Sequence, residues 1–347
     1  MVRCANAVPL APLTTLHLGG AAAEYVRLTD ADDLGSALAP ADPESPPAIL
    51  LAGGSNIVVP DAGVAGRVVH LATTGVVMRH EGESVAVTAA AGESWDDLVT
   101  ACVAQGLAGI ETLTGIPGSV GATPYQNVGA YGREVAEVIA RVRVHDRVAG
   151  TAVTLAGDDC DFGYRTSRFR RDPGRFVITE VTFHLHRTDQ ALPVRYPALA
   201  GTLGCAPGAR PPLPEVVAAV RHLRRERGML LDPADPDTRS VGSFFVNPVV
   251  AAANLPAAAP RWPVDDRPGA GGGRVKTSAA WLIENAGIPR GFTTPAAPGV
   301  RVSTKHTLAL VNVDGTTSAL LALAAFITAS VRTAFGIDLD VEPRILT

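Results

Sequence analysis

The chain lacks any polybasic run, and its 347 residues carry a formal net charge of −4. A nucleic-acid or membrane-surface binder would show a basic stripe, so neither partner is expected. The one local exception is the stretch from Arg221 to Arg227. Cysteine is scarce: Cys4, Cys102, Cys160 and Cys205 are scattered, in neither CxxC nor zinc-ligand spacing. That excludes a disulfide frame, leaves no metal expected, and points to a reducing cytoplasm. The N-terminal stretch MVRCANAVPLAPLTT lacks the apolar core of a signal peptide. The most apolar helical stretch, Leu320 to Ile327, is too short to span a bilayer. Also missing are GxGxxG at the opening of a βα unit, GxxxxGK[ST], GxSxG and HExxH. Their absence disfavours a Rossmann dinucleotide site, a P-loop, a nucleophile elbow and a zincin. No internal repeat occurs, and strands and helices do not alternate strictly, so the expected class is α+β.

What is present is an ordinary folded composition, 47% apolar and 18% charged, in a chain long enough for two or three packed units. Ala48-Ile49-Leu50-Leu51 is a β-type apolar run, and Val85, Val87 and Ala89 alternate as in a strand. Ser94 is placed to cap a helix with Asp96 and Asp97 in its first turn, where the helix dipole favours them. Leu98, Val99, Cys102 and Val103 form its apolar side and Gly106 its stop. Val177, Thr179, Val181, Phe183 and Leu185 share one face of a long strand. A proline- and glycine-rich zone from Ala191 to Pro214 reads as a boundary. Pro214 opens a helix with Val217, Val220 and Leu223 or the stem of Arg224 on its apolar side, ended by Gly228. The patch from Pro256 to Gly273, with its GAGGG, is low-complexity loop. Leu320, Leu323, Ile327 and Val331 mark a final helix, capped by Ser318 and closed by Gly336.

Two turns are dense in glycine: Leu51-Ala52-Gly53-Gly54-Ser55-Asn56 and Ile116-Pro117-Gly118-Ser119-Val120-Gly121-Ala122. Glycine tolerates left-handed backbone and leaves the backbone N–H groups uncovered. Each is either an ordinary surface turn or a concavity for a pyrophosphate. The second continues as Thr123-Pro124-Tyr125-Gln126-Asn127-Val128-Gly129-Ala130-Tyr131-Gly132, a long run of special residues for a plain turn.

Six blocks occur in order: L-A-G-G-S-N from Leu51, G-I-P-G-S-V-G-A-T-P-Y-Q-N-V-G-A-Y-G from Gly115, F-G-Y-R-T-S from Phe162, G-S-F-F-V-N-P from Gly242, S-T-K-H-T-L-A-L-V-N from Ser303 and V-E-P-R-I-L from Val341. Together they resemble the UDP-N-acetylenolpyruvoylglucosamine reductase family over nearly the whole chain; the second and fourth blocks are the most specific. The resemblance implies an α+β chain: an FAD-binding, vanillyl-alcohol-oxidase-type (PCMH) half of two α+β subdomains over residues 1–190, split near 72, then a C-terminal α+β substrate-binding domain over 191–347 whose last ~10 residues return to the active site. It implies noncovalent FAD, NADPH as reductant, and reduction of UDP-N-acetylglucosamine enolpyruvate to UDP-N-acetylmuramate for peptidoglycan, by a cytoplasmic monomer. Tyr196, in R-Y-P-A-L, resembles the tyrosine loop of the longer family form. One departure is His17, where relatives often carry arginine.

That reaction needs a cation on the substrate carboxylate and a proton source for the neighbouring carbon. Arg165 suits the first role, since its planar fork grips a carboxylate and stays charged. Glu342 suits a second stabiliser if burial keeps it protonated. Ser243 suits the proton donor, with Gly242 allowing close approach and Phe244 and Phe245 excluding water. The resemblance implies a cofactor set of Gly53, Gly54, Ser55, Asn56, Ile116, Pro117, Gly118, Ser119, Gly121 and Ala122. It implies Arg227 on the UDP diphosphate, Asn247 on the same group, Tyr196 holding the diphosphate or the lid, and Lys305 and His306 lining the substrate or nicotinamide side, with scaffold as the alternative reading of each of these supporting residues. The rest of the arginine cluster has the default reading of dipole complement and surface solvation. Rival readings are a paralogue acting on a related nucleotide sugar, an oxidase with a covalent flavin, and a non-catalytic binding protein. The last would have lost at least one of Arg165, Ser243 and Glu342.

Overall fold

A computed structural model describes residues 4–39, 45–264 and 273–346. Most of the GAGGG loop lies outside them. The chain forms two compact units: Met1–Val8, Ala22–Gly54 and Ala65–Glu226 make the first, and Pro9–Ala21, Ser55–Val64 and Arg227–Thr347 the second.

The first unit is built on two sheets. The smaller has the strand order Cys4–Pro9, Ala21–Leu28, Val64–Leu71, Ile49–Leu51. The larger runs Thr151–Ala156, Ile139–Asp146, Phe176–Arg187, Ser84–Ala90, Val76–Glu81, with Leu107–Ala108 also paired to Phe176–Arg187. The chain passes from one sheet to the other between Leu71 and Val76. Val85, Val87 and Ala89 are fully buried, as their alternation requires. Ser94 Oγ accepts from Asp97 N at the head of the helix Trp95–Ala104, and Gly106 follows its end in left-handed backbone (φ +67°).

Two details depart from the simple pattern. On the long strand, Arg143 faces Glu180 while Val144 faces Ile178, so Thr179 is an extra, bulged residue. The bulge breaks the alternation: Val177 joins the core around Val26, Val69 and Leu71, while Ile178, Val181, Phe183 and Leu185 join the core of the larger sheet. On the helix Leu213–Glu226, Val216 rather than Val217 is buried, together with Leu213, Val220 and Leu223. That helix packs on Ala191, Val194, Leu199 and Tyr131. This apolar stripe belongs to the first unit's core, and that unit runs to Glu226.

The second unit centres on the helix Thr317–Phe335, whose Leu320, Leu323, Ile327 and Val331 are buried among Phe244, Phe245, Leu282 and Leu310. Thr316 Oγ1, not Ser318, accepts from Ala319 N as its cap; Ser318 donates instead to Asp61 Oδ2. With 19 residues it is longer than the stretch expected from sequence, and by length and composition alone it could cross a membrane. Alanine, serine and threonine carry the helix beyond the leucine-rich core, and its apolar stripe is spent on the unit's own core. Gly336 closes it with φ +66°. Ile57–Val58 pairs in parallel with Arg344–Ile345, so the last block of the chain is held by an early segment.

Candidate active site

In the first unit the two glycine turns meet backbone to backbone. A Cβ on Gly53 would lie 2.5 Å from Gly118 Cα and 3.0 Å from Ser119 N, and one on Gly121 would lie 2.5 Å from Ala91 Cβ. Real side chains do not fit there, so these glycines are required by contact. Gly54 (φ +60°) and Gly118 (φ +118°) add left-handed backbone. Ser119 Oγ is buried and has no hydrogen-bond partner among the described residues. Such an orphan is costly unless a ligand satisfies it. A glycine-walled turn with an unspent buried hydroxyl fits a phosphate-bearing cofactor such as FAD. Ile116, Pro117 and Ala122 lie in the same turn, whereas Ser55 and Asn56 fall in the second unit, where Arg344 N donates to Asn56 O.

The arginines first assigned to solvation hold this turn. Asp96 Oδ1 accepts from Gly115 N at 2.5 Å and Thr114 Oγ1 at 3.0 Å, and Asp96 Oδ2 accepts from Arg221 Nη1 at 2.6 Å. Arg224, buried, donates Nε to Gly115 O at 3.0 Å. Burial works against the charge on Asp96, yet the Gly115 amide and Arg221 outweigh it and keep its pKa low. Sequence spacing gave no sign of this, because Asp96 and Arg221 are distant in the chain.

Arg165 sits at the tip of a tight turn in which Gly163 and Thr166 exchange backbone hydrogen bonds. Its φ of +51° is a conformation that favours glycine. Its Nη2 donates to Gly129 O at 2.9 Å. The tip is tied to the Tyr125–Gly129 block at three further points. Asn127 Nδ2 donates to Gly163 O at 3.1 Å, Ser167 Oγ to Tyr125 O at 2.6 Å, and Arg170 Nη1 to Gln126 Oε1 at 3.3 Å. Asn127, 1% exposed and itself left-handed (φ +49°), also bonds Glu134 and Ala136. Its role was not drawn from sequence, although it lies in the most specific block. Tyr196, also in the first unit, packs edge-on against Tyr131 with centroids 5.6 Å apart.

The second unit brings together the bridged segments that carry Ser243 and Glu342 and the turn that carries His306. Phe244 N donates to Leu308 O at 2.7 Å and Ser243 bridges Ala309; on the other side Glu342 N donates to Phe244 O and Val246 N to Asp340 O, each at 2.9 Å. Phe244 and Phe245 are buried, while Ser243 is half-buried. The Ser243 hydroxyl has no hydrogen-bond partner among the described residues, unlike the hydroxyl of a serine bonded to its own backbone. Gly242 beside it is left-handed (φ +73°), with open space where a Cβ would point.

His306 Nδ1 accepts from Leu308 N at 3.1 Å, which leaves the proton of a neutral ring on Nε2. Burial, then Arg227 and Arg290, push its pKa down to about 4. Gly228, next to Arg227, packs against Asp237 and the Lys305 stem, so Arg227, Lys305 and His306 are close neighbours. Lys305 Nζ pairs with Asp235 at 2.5 Å. Asn247 is partly committed to the scaffold, since its Oδ1 accepts from Ala279 N at 2.9 Å. His17 is left-handed (φ +53°) and exposed, and its carbonyl accepts from Asn312.

Comparison with known proteins places these observations. Residues 233–346 match the family described as UDP-N-acetylenolpyruvoylglucosamine reductase, C-terminal domain, and residues 22–156 match the FAD binding domain family. A UDP-N-acetylenolpyruvoylglucosamine reductase from Thermobifida fusca is 46% identical, over 98% of this chain and 97% of the relative. One from Streptomyces avermitilis is 47% identical, over 96% of this chain and 93% of the relative. The crystal structure of UDP-N-acetylenolpyruvylglucosamine reductase from Thermus caldophilus shares the fold, with a TM-score of 0.67 at 24% identity over the full length of both chains. The chain therefore belongs to the UDP-N-acetylenolpyruvoylglucosamine reductase family, oxidoreductases that carry an FAD-binding domain.

Proposed function

We propose that the chain reduces UDP-N-acetylglucosamine enolpyruvate to UDP-N-acetylmuramate in the cytoplasm, as a monomer, with noncovalent FAD and NADPH as reductant. The observation that carries this is the uncommitted Ser243 hydroxyl, half-buried beside Phe244, whose carbonyl accepts from Glu342 N. Bound FAD supplies the hydride for the terminal carbon of the enol ether. Arg165 takes the substrate carboxylate and stabilises the negative charge that grows on it. Ser243 gives its proton to the carbon bearing the ether oxygen, and Glu342, in its protonated form, supports the negative charge that develops beside it. Arg227, Lys305 and neutral His306 supply charge and an N–H donor for the diphosphate. Gly53, Gly118 and Ser119 form the cradle for the cofactor pyrophosphate. Four free cysteines, two of them buried, are in keeping with a reducing compartment.

The test is NADPH consumption by purified protein, with and without UDP-N-acetylglucosamine enolpyruvate. Substrate-dependent oxidation with UDP-N-acetylmuramate as product supports the assignment. NADPH oxidation indifferent to the substrate overturns it.

A further inference from the structure

We infer that Asp237 is a positioning residue that sets the Lys305–His306 turn through the Ser303 hydroxyl. The inference rests on the substrate-side role proposed above for that turn. Asp237 is 1% exposed and Ser303 0%. Asp237 Oδ2 accepts from Ser303 Oγ at 3.2 Å, Thr304 N at 3.1 Å and Thr304 Oγ1 at 2.5 Å. Its other oxygen pairs with Arg301 at 2.5 Å. Having donated to Asp237, Ser303 Oγ accepts from Lys305 N at 3.0 Å and His306 N at 3.2 Å.

One buried hydroxyl thus fixes two consecutive amides of the turn, and one buried carboxylate fixes the hydroxyl's direction. Burial opposes the charge on Asp237, but Thr304, Arg301 and Ser303 outweigh it and hold its pKa low. An ionised acceptor makes each of these bonds stronger than a neutral one would be.

The same network reaches both ends of the site. On one side, a Cβ on Gly228 would lie 3.1 Å from Asp237 Cβ and 3.5 Å from Lys305 Cδ, so Gly228, next to Arg227, sits close against both. On the other, His306 Nδ1 accepts from Leu308 N, and Leu308 O accepts from Phe244 N beside Ser243. Neither Asp237 nor Ser303 points a reacting atom at substrate in this scheme. Their effect comes through where they put Lys305 and His306.

Asp237→Asn leaves Arg301 without its counter-charge and risks misfolding. Ser303→Ala removes a single oxygen and is the decisive variant. We expect KM for UDP-N-acetylglucosamine enolpyruvate to rise about 10-fold, as for the loss of a hydrogen bond to a charged group, with kcat and bleaching of the bound flavin by NADPH within about 2-fold of wild type. A second readout needs no turnover: the NMR titration of the His306 ring, which faces Arg227 and Arg290. With the turn released, its midpoint should climb from about 4 toward the ordinary histidine value. An unchanged KM together with an unchanged His306 titration, with only melting temperature lowered, makes the network purely structural and overturns the inference. If wild type shows no substrate-dependent turnover, the proposed function falls. The His306 titration then decides the positioning role by itself.

Discussion

Ser243 and Arg165 are the residues on which the proposed chemistry depends, and each gives a separable prediction. Ser243→Ala removes a hydroxyl that supports nothing else among the described residues, so folding and FAD content should be kept. Reduction of the bound flavin by NADPH needs no proton at carbon and should stay near normal. Its reoxidation by the enolpyruvyl substrate should slow by about 10²–10⁴-fold, the range for losing a positioned general acid. Stopped-flow measurement of the two half-reactions decides; wild-type reoxidation in Ser243→Ala would mean the proton comes from elsewhere. Arg165 adds a trade between stability and function. Its left-handed φ costs roughly 1 kcal/mol that glycine would not incur. Arg165→Gly should therefore melt no lower than wild type, set against the loss of its bond to Gly129 O, while losing substrate reduction. Arg165→Lys, which keeps charge but not the fork, should impair reoxidation more than reduction. Equal losses in both steps would point to a structural arginine.

At the scale of elements, the proposed flavin cradle rests on two turns far apart in sequence that press together without side chains. Gly53→Val adds atoms where Gly118 and Ser119 backbone already stand at 2.5–3.0 Å. It should yield folded protein with little or no FAD, measured as flavin absorbance per protein after acid release. Full occupancy in that variant would remove the turn from the cofactor site. Noncovalent attachment predicts that acid precipitation leaves FAD in the supernatant and none in the pellet. The helix Leu213–Glu226 contributes through Arg221 and Arg224, which fix Asp96 and Gly115. The glycine turns, the helix caps at Ser94 and Gly336 and the buried alternation of Val85, Val87 and Ala89 were legible from local chemistry. The Thr179 bulge, the Thr316 cap and the Val216 stripe were not. Each depends on what the neighbouring strand or core offers, and a single-strand pattern does not carry that.

At the scale of the whole molecule, acid should act in two stages. His306 has its folded pKa lowered to about 4, and His70 is lowered too, by burial first. A histidine that resists protonation when folded contributes stability above its unfolded value, about 6.5. That contribution is lost as pH falls toward 4, on the order of 3 kcal/mol for His306 by linkage. Below that, Asp96 and Asp237 are lowered despite burial, and hydrogen bonds from Arg175 take Asp146 to about 2. Carboxylates depressed in this way stabilise above their unfolded value, about 3.9, and lose that contribution as pH falls through the folded one. Melting temperature should therefore drop between pH 6.5 and 4 and again below 4, and His306→Asn should flatten the first stage. An unchanged first stage in that variant would remove His306 as its cause. The buried Cys102 and Cys160 thiols, raised to about 12 by burial, should react with thiol reagents only on unfolding.

The sequence by itself determined the α+β class, the family and the residue types on which the proposed chemistry draws: two glycine turns, an arginine in F-G-Y-R-T-S, a serine in G-S-F-F and a glutamate in V-E-P-R. These are local blocks whose composition is dictated by the backbone or the reaction, so they survive as readable strings. Tertiary structure decided where the compact units divide and which polar groups hold the blocks in place. Asp96 holding Gly115, Asn127 holding Gly163 and Asp237 holding Ser303 pair residues 19, 36 and 66 positions apart. A buried carboxylate or amide must find its partners wherever the fold brings them, and sequence distance records nothing of that.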